Sequence, residues 1–264
     1  MKRIADSALT LLIILTLYVP AAAQEAATEE SLNPIERSRQ DYLFQFANYN
    51  DAHDVYQTAK EAYQKFGTIA SQQEAIQATK KVLALRAEVL RTHFELVKLT
   101  LLNLRDMDEG LRTAQIGKIE ATQAFLTTHK ENIERTNSTS EVNAESLRIE
   151  RESEAMNDLA YETLTLILTG QAQGLETRTR LLLDGVVEER GQDQDVQQGA
   201  SDVRRLLTSV RVSIDKIVGS VLGSDATKGG KMVSIYKDGQ KEMRKVKMTL
   251  KEAAQLVQEM TRGG

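Results

Sequence analysis

The sequence predicts an all-α protein: an elongated, antiparallel helical bundle or coiled coil of about five helices that follows a signal peptide. Three observations predict this fold. The chain of 264 residues has 2 prolines, no tryptophan and 5% aromatic residues, although sandwiches, barrels and enzyme clefts tend to use these residue types. Apolar residues recur at steps of three and four, as they do along one face of a helix. Capping residues and short polar turns separate these stretches.

The amino-terminal segment, residues 1–23, has the features of a secretory signal peptide. Lys2 and Arg3 precede an apolar run from Ala8 to Val19, and a series of small residues ends at Ala23. A membrane span needs about 20 apolar residues, so we expect cleavage near Ala23 and export to the periplasm or the extracellular space. The alternative is an uncleaved amino-terminal anchor. Because the chain has no cysteine, an exported form must be held together by packing alone.

The first helix is predicted to follow a flexible polar lead at residues 24–33. Asn33 is a preferred N-cap residue, Pro34 suits the first helical position, and Glu36 is favourable in the first turn. We expect this helix to run to about Phe66, where glycine and β-branched residues follow.

The second helix has the widest apolar face in the chain. The capping box "SQQE" at residues 71–74 marks its predicted start. Leucine or valine then falls every seven residues from Leu83 to Leu111, and such a face must be buried. The register of this repeat changes near "DMDEG" and Gly110. A kink or a break is therefore expected there, before the helix continues to about Arg135.

A third helix and a final pair complete the predicted bundle. Ser138 and Glu141 form another capping-box pair, and the third helix is expected to fold back on the second. The predicted organisation is a long-helix bundle over 34–190, a polar linker over 191–200, and a helical pair with a basic last helix over 201–264.

The final pair carries the clearest coiled-coil pattern, because its apolar residues alternate steps of three and four in both helices. We expect the two seams to pack together. Their residues are Val203, Leu207, Val210, Ile214 and Ile217 in the first helix and Met243, Val246, Leu250, Val257 and Met260 in the second. The Asp-Gly step within residues 232–246 is also compatible with a β-hairpin, which is the alternative to a helix there.

Four tyrosines recur every seven residues along the first helix and form the first candidate site. This tyrosine row consists of Tyr42, Tyr49, Tyr56 and Tyr63, and His53 lies on the same side of the helix. The favoured interpretation is packing in the core or at a helix edge, with the hydroxyl groups reaching water. The functional alternative is a platform on which a glycan or another flat ligand stacks, and that role requires exposed rings.

No pattern typical of catalysis, a cofactor site or a metal site occurs in the sequence. His53, His93 and His129 lack metal-ligand spacing, so we expect them to be partly buried or on helix surfaces. The loops around Asp193 and Lys231 lack the residues that an EF-hand or a P-loop requires. No serine lies in a G-x-S-x-G turn. We therefore predict that the protein is not an enzyme.

The last helix carries a second candidate surface. From Ala226 onward the chain has nine lysines or arginines against four acidic residues, whereas the whole chain has a net charge of −4. The candidate surface-binding residues are Lys237, Lys241, Arg244, Lys245 and Lys251. Weak electrostatic contact with an anionic membrane or wall polymer is the functional interpretation, and a solvated helix face is the alternative. The acidic chain as a whole argues against nucleic-acid binding.

These patterns favour an exported structural or protein-interaction protein of the cell envelope, without catalysis. Its expected partners are other envelope proteins, or a second copy of the chain, contacted through helical seams. The alternative is an extracytoplasmic ligand-binding or sensor-type helical module that uses the tyrosine row. Solvent exposure of most of the four tyrosine rings around one concavity would favour this alternative, whereas rings sandwiched between helices would favour the interaction protein.

Overall fold

A computed structural model describes residues 33–224 and 231–262, and these residues form six α-helices and no strand. The all-α prediction is confirmed. The helices are α1 (Pro34–Phe66), α2 (Ile69–Leu102), α3 (Glu109–Arg135), α4 (Thr139–Arg190), α5 (Gln194–Leu222) and α6 (Lys231–Arg262). The described part of the chain contains no helix that is both long and apolar enough to cross a membrane. The predicted signal peptide and nearly all of the flexible lead lie outside the described residues.

Two compact units divide these helices between them. Among the described residues, the first unit comprises 33–99 together with Ile119–Asn157, and the second comprises Thr100–Lys118 together with 158–224 and 231–262. This division differs from the predicted boundary at 191–200, because the later part of α4 shares a buried core with α5 and α6.

The capping predictions for α1 and α4 are confirmed. The side chain of Asn33 accepts a hydrogen bond from the backbone N–H of Ile35 at 3.1 Å. At the start of α4, Ser138 Oγ accepts from the N–H of Glu141 at 3.3 Å, and the Glu141 carboxylate accepts from the N–H of Ser138 at 3.2 Å. These side chains satisfy backbone donors that a helix start leaves without partners.

The link between α1 and α2 is shorter than predicted. Gly67 ends α1 in the left-handed conformation, with φ of +59°, and its N–H donates to the carbonyl of Tyr63 at 2.9 Å. Thr68 Oγ1 then accepts from the N–H of Ser71 at 3.1 Å. Because Thr68 provides this cap, α2 begins at Ile69, ahead of the predicted capping box.

The predicted break in the second helix is confirmed and lies at residues 103–108, which raises the number of helices above the predicted five. The side chain of Asp108 caps α3 by accepting from the N–H of Leu111 at 2.7 Å. In the same unit, Leu104 packs on Gly170 of α4, where an added Cβ would lie 2.8 Å from Leu104 Cδ1. The break is thus fixed by a cap on one side and by a glycine on the facing helix.

The two seams of the final pair pack together, as predicted. One buried cluster includes Val203, Leu207, Val210 and Ile214 of α5 with Val246, Leu250, Ala253 and Val257 of α6. The helices are antiparallel, since Ser213 Oγ donates to Glu242 Oε1 at 3.3 Å and Ser224, just after α5, contacts Met232 near the start of α6. The hairpin alternative over residues 232–246 is wrong, because that segment lies within the continuous helix α6.

The predicted polar linker at 191–200 is mostly helical. Asp193 caps α5 through its side chain, and α5 begins at Gln194. Val196 and Ala200 belong to the buried cluster of the second unit. Four of the polar residues that suggested a linker are exposed in the first turns of α5: Gln194, Asp195, Gln197 and Gln198.

Two glycines near the end of α4 should respond in opposite directions to the same substitution. Gly185→Ala adds a Cβ that has no heavy atom of the described residues within 4 Å, outside its own helix backbone and chain neighbours, so we expect stabilisation by about 0.5–1 kcal/mol from helix propensity. Gly191→Ala places a Cβ 2.5 Å from the carbonyl oxygen of Val187, so we expect destabilisation by about 1–3 kcal/mol. Urea unfolding followed by circular dichroism measures both. Equal effects of the two changes would contradict this prediction.

Candidate functional site

A groove of about 590 Å³ opens in the first unit and is lined by α1, α2 and α4. Three members of the tyrosine row, Tyr49, Tyr56 and Tyr63, line it together with His53. We call it the tyrosine groove. Its walls rest on a buried cluster that α2, α3 and α4 form, with members Val82, Leu83, Ile133 and Val142. The groove is therefore supported by the core of the unit.

The tyrosine row passes from the core to the groove along α1. Tyr42 is 6% exposed, and its ring centroid lies 5.6 Å from that of the buried His93. Tyr49 and Tyr56 are half-buried, and Tyr63 is 36% exposed. The packing interpretation describes Tyr42 and, in part, Tyr49 and Tyr56, which pack against the buried cluster. Three of the four rings line one concavity, as the ligand-binding alternative requires, but of the four only Tyr63 is exposed, so the exposure that this alternative also requires is met in part.

Neighbouring side chains hold the aromatic wall of the groove in place. The ring centroids of Tyr49 and His53 are 6.0 Å apart, and those of His53 and Tyr56 are 6.2 Å apart. Gln57 Nε2 lies 3.2 Å from His53 Nε2, and Lys60 Nζ lies 5.7 Å from the centroid of the Tyr56 ring. Aromatic pairs at these separations attract each other, and a lysine over a ring adds a cation–π contact. The wall is thus formed before any ligand arrives.

Arg86 of α2 is a groove residue that the sequence analysis missed. It lines the groove and is partly buried. Within residues 33–224 and 231–262, no hydrogen bond or ion pair reaches its guanidinium. Burial lowers the pKa of Arg86, and the nearby Tyr49 and Glu150 oppose this shift. The one signal in the sequence was a charge placed next to Ala87 on an otherwise apolar helix face.

The surface that the groove exposes is mostly apolar, although its lining also includes amide and hydroxyl side chains. Lys60, Arg86 and the exposed Glu150 carry the charges of the lining besides His53, which gives a net charge of +1 when His53 is neutral. The apolar members are Ala75, Ile76, Val82, Leu83, Val142 and Leu147. Small-molecule sites are typically concave and apolar with a few placed polar groups, and the tyrosine groove has this composition.

The three histidines have different environments, and two of them correct the prediction. His53 is partly exposed in the groove, but His93 and His129 are buried on core-facing sides of α2 and α3. Among the described residues, neither ring nitrogen of His93 has a hydrogen-bond partner, and burial lowers the pKa of His93 to about 4. His129 Nδ1 lies 2.9 Å from Glu145 Oε2. Burial lowers the pKa of His129, and Glu145 opposes this shift.

The five basic candidates of α6 are all exposed, and we call Lys237, Lys241, Arg244, Lys245 and Lys251 the basic strip. Two of them are paired on the same helix, since Lys241 Nζ lies 3.1 Å from Asp238 and Lys245 Nζ lies 2.9 Å from Glu242. These pairs reduce the positive charge that the strip presents. Its binding role remains a prediction.

Comparison of the chain with protein-family models, with characterised proteins and with solved structures finds no match. Among the residues that the structure describes, no group of three or more histidine or carboxylate side chains is placed to hold a metal ion. The geometry of the tyrosine groove is therefore the basis for assigning a function.

Proposed function

We propose that this chain is a non-catalytic helical module that binds a small, flat ligand in the tyrosine groove. The observation that carries the proposal is that Tyr49, Tyr56 and Tyr63, with His53, line one groove of about 590 Å³. That volume lies in the range of roughly 300–1,000 Å³ that small-molecule sites occupy. Ring faces on α1 offer stacking, and the aliphatic residues of α2 and α4 offer apolar contact.

The limited burial of α1 supports a binding role over a purely structural one. In this helix of 33 residues, the buried side chains are those of Ser38, Tyr42 and Ala52. A helix whose aromatic row served packing alone would bury most of that row. The amino-terminal sequence favours export, so the proposed ligand is one that reaches the cell envelope.

Ligand-dependent stabilisation should depend on the groove tyrosines. A thermal-shift screen of flat carboxylates, phenols and envelope glycans should find compounds that raise the melting temperature of the protein. Tyr56→Ala should weaken their binding about tenfold or more, because one stacked ring contributes roughly 1–3 kcal/mol. Because the chain has no tryptophan, tyrosine emission gives a second readout of binding.

Phe44→Ala is the matched control, since Phe44 lies on the same helix, is exposed and does not line the groove. We expect this variant to bind as the wild-type protein does. A ligand whose binding is unchanged in Tyr56→Ala would contradict the groove as its site. A screen in which no flat compound stabilises the protein would contradict the function.

A second candidate function is electrostatic attachment to an anionic surface through the basic strip. Its support is that all five residues are exposed while the seam of α6 is filled by α5, which leaves that seam unavailable for membrane insertion. The combined changes Lys237→Gln, Lys241→Gln, Lys245→Gln and Lys251→Gln should abolish co-sedimentation with anionic vesicles. Each lysine near such a surface contributes about 1 kcal/mol.

Salt provides the control for this candidate, because exposed charges are screened beyond about 8 Å at physiological ionic strength. Raising the salt concentration should release the wild-type protein, and the quadruple variant should keep its helical circular dichroism signal. Vesicle binding that persists in high salt and in the quadruple variant would exclude an electrostatic attachment.

A further inference from the structure

Arg86 is the unusual charged residue of the tyrosine groove. A partly buried guanidinium normally makes ion pairs or hydrogen bonds, as Arg91 does with Glu88 at 2.5 Å on the same helix. Arg86 lines the groove without such a partner among residues 33–224 and 231–262. Removing a charge from water without pairing it is costly. An anion in the groove would supply the missing partner.

The walls around Arg86 restrict the shape of that anion. Tyr49 and Tyr56 line the groove from α1, and aliphatic side chains line it from α2 and α4. A flat ring inserted between them gains contact on both faces. A guanidinium holds a carboxylate or a sulfonate through two parallel hydrogen bonds, which fixes the orientation of the bound group.

We propose that the ligand of the tyrosine groove is an aromatic anion, whose acidic group pairs with Arg86 while its ring stacks on the tyrosines of α1. This inference rests on the proposed function, because it requires the groove to be a ligand site. It also gives Glu150 a role. This exposed carboxylate of α4 lines the same groove, so it disfavours anions and sets the strength with which they bind.

A pair of fluorescent probes separates the charge from the ring. Anilinonaphthalene sulfonate is an aromatic anion, and phenylnaphthylamine has the same ring system without the charge. Arg86→Met removes the guanidinium but keeps an apolar stem of similar length. In the full chain, we expect this change to weaken binding of the sulfonate about ten- to a hundredfold, as expected for lost hydrogen bonds to a charged group. Binding of the neutral probe should change less than about threefold.

Two matched variants complete the test of the charge. Arg91→Met makes the same substitution on the same helix, at a residue that pairs with Glu88 and does not line the groove. It should bind both probes as the wild-type protein does. Glu150→Gln should tighten binding of the sulfonate about two- to fivefold by removing a like charge, and it should leave the neutral probe unaffected.

The outcomes distinguish failure of this inference from failure of the proposed function. If Tyr56→Ala weakens binding of both probes but Arg86→Met affects them equally, the groove is a ligand site and the anion assignment is overturned. If Tyr56→Ala affects neither probe, the proposed function fails. If laurate displaces the sulfonate probe as effectively as naphthoate does, the inference that the ligand is aromatic is overturned. If the Arg86→Met variant fails to bind the neutral probe, the Arg86→Lys variant serves instead. We expect it to bind the sulfonate severalfold more weakly and the neutral probe as the wild-type protein does.

Discussion

Replacing Leu250 by aspartate should unfold the second unit. Leu250 is 5% exposed and belongs to the buried cluster that α4, α5 and α6 share. Truncating such a leucine to alanine costs about 2–5 kcal/mol, and burying an unpaired carboxylate adds several kcal/mol more. The sum approaches the roughly 5–15 kcal/mol that stabilises a typical domain. Urea unfolding followed by circular dichroism should show loss of the cooperative transition of this unit.

Met248→Asp is the matched control for this prediction. Met248 lies two residues earlier on the same helix and is 66% exposed, so the same new charge remains in water. We expect its effect on the free energy of unfolding to stay within about 0.5 kcal/mol. An unchanged melting profile for Leu250→Asp would mean that the seam of α6 is not buried in the isolated chain.

The features that the sequence predicted correctly depend on neighbours along the chain. Asn33 caps α1 through a residue two positions away, and Ser138 caps α4 through Glu141. The seams of α5 and α6 follow from the steps between apolar residues, and the small number of residues between the two helices in the sequence favours an antiparallel pair. Local chemistry decides each of these features.

The division into two units could not be predicted in the same way. It cuts through α2, α3 and α4, and within α4 (Thr139–Arg190) neither a proline nor a break in the helix marks the boundary near Asp158. The division depends on which distant helices pack against each part of α4. Helical periodicity identifies the buried side of a helix, but it does not identify the partner that buries it.

Only part of the candidate site could be predicted, because the sequence does not show which helices pack beside the tyrosine row. The spacing of the tyrosine row placed Tyr49, Tyr56 and Tyr63 on one side of α1, with His53 among them. The spacing could not show that the neighbouring helices leave a groove beside these rings. Arg86 and Glu150 come from α2 and α4, so the charges of the site are set by contacts between elements far apart in sequence.

Acidification from about pH 7 to about pH 5 should destabilise the first unit through His93. In the folded chain His93 has a pKa of about 4, because it is buried against Tyr42 and Phe94 and its ring has no hydrogen-bond partner within residues 33–224 and 231–262. In the unfolded chain a histidine has a pKa near 6.5. Below that value the unfolded state binds a proton that the folded state excludes, so the free energy of unfolding falls by about 1.4 kcal/mol per pH unit. Above that value His93 is neutral in both the folded and the unfolded state, so its contribution to stability does not change with pH.

His93→Phe tests this prediction, because it keeps an aromatic ring between Tyr42 and Phe94 and removes the titrating group. The loss of stability between about pH 7 and pH 5 should shrink by about 2 kcal/mol relative to wild type. His53→Phe is the control, since His53 is partly exposed in the groove. Between the same two pH values, this variant should lose most of the stability that the wild-type protein loses.

Other titrating groups lie near His93. The carboxylates of Glu88 and Glu95 have lowered pKa values and titrate below this window. His129 titrates in all three proteins, so its contribution cancels, and an undiminished loss in His93→Phe would show that His93 is not the group responsible.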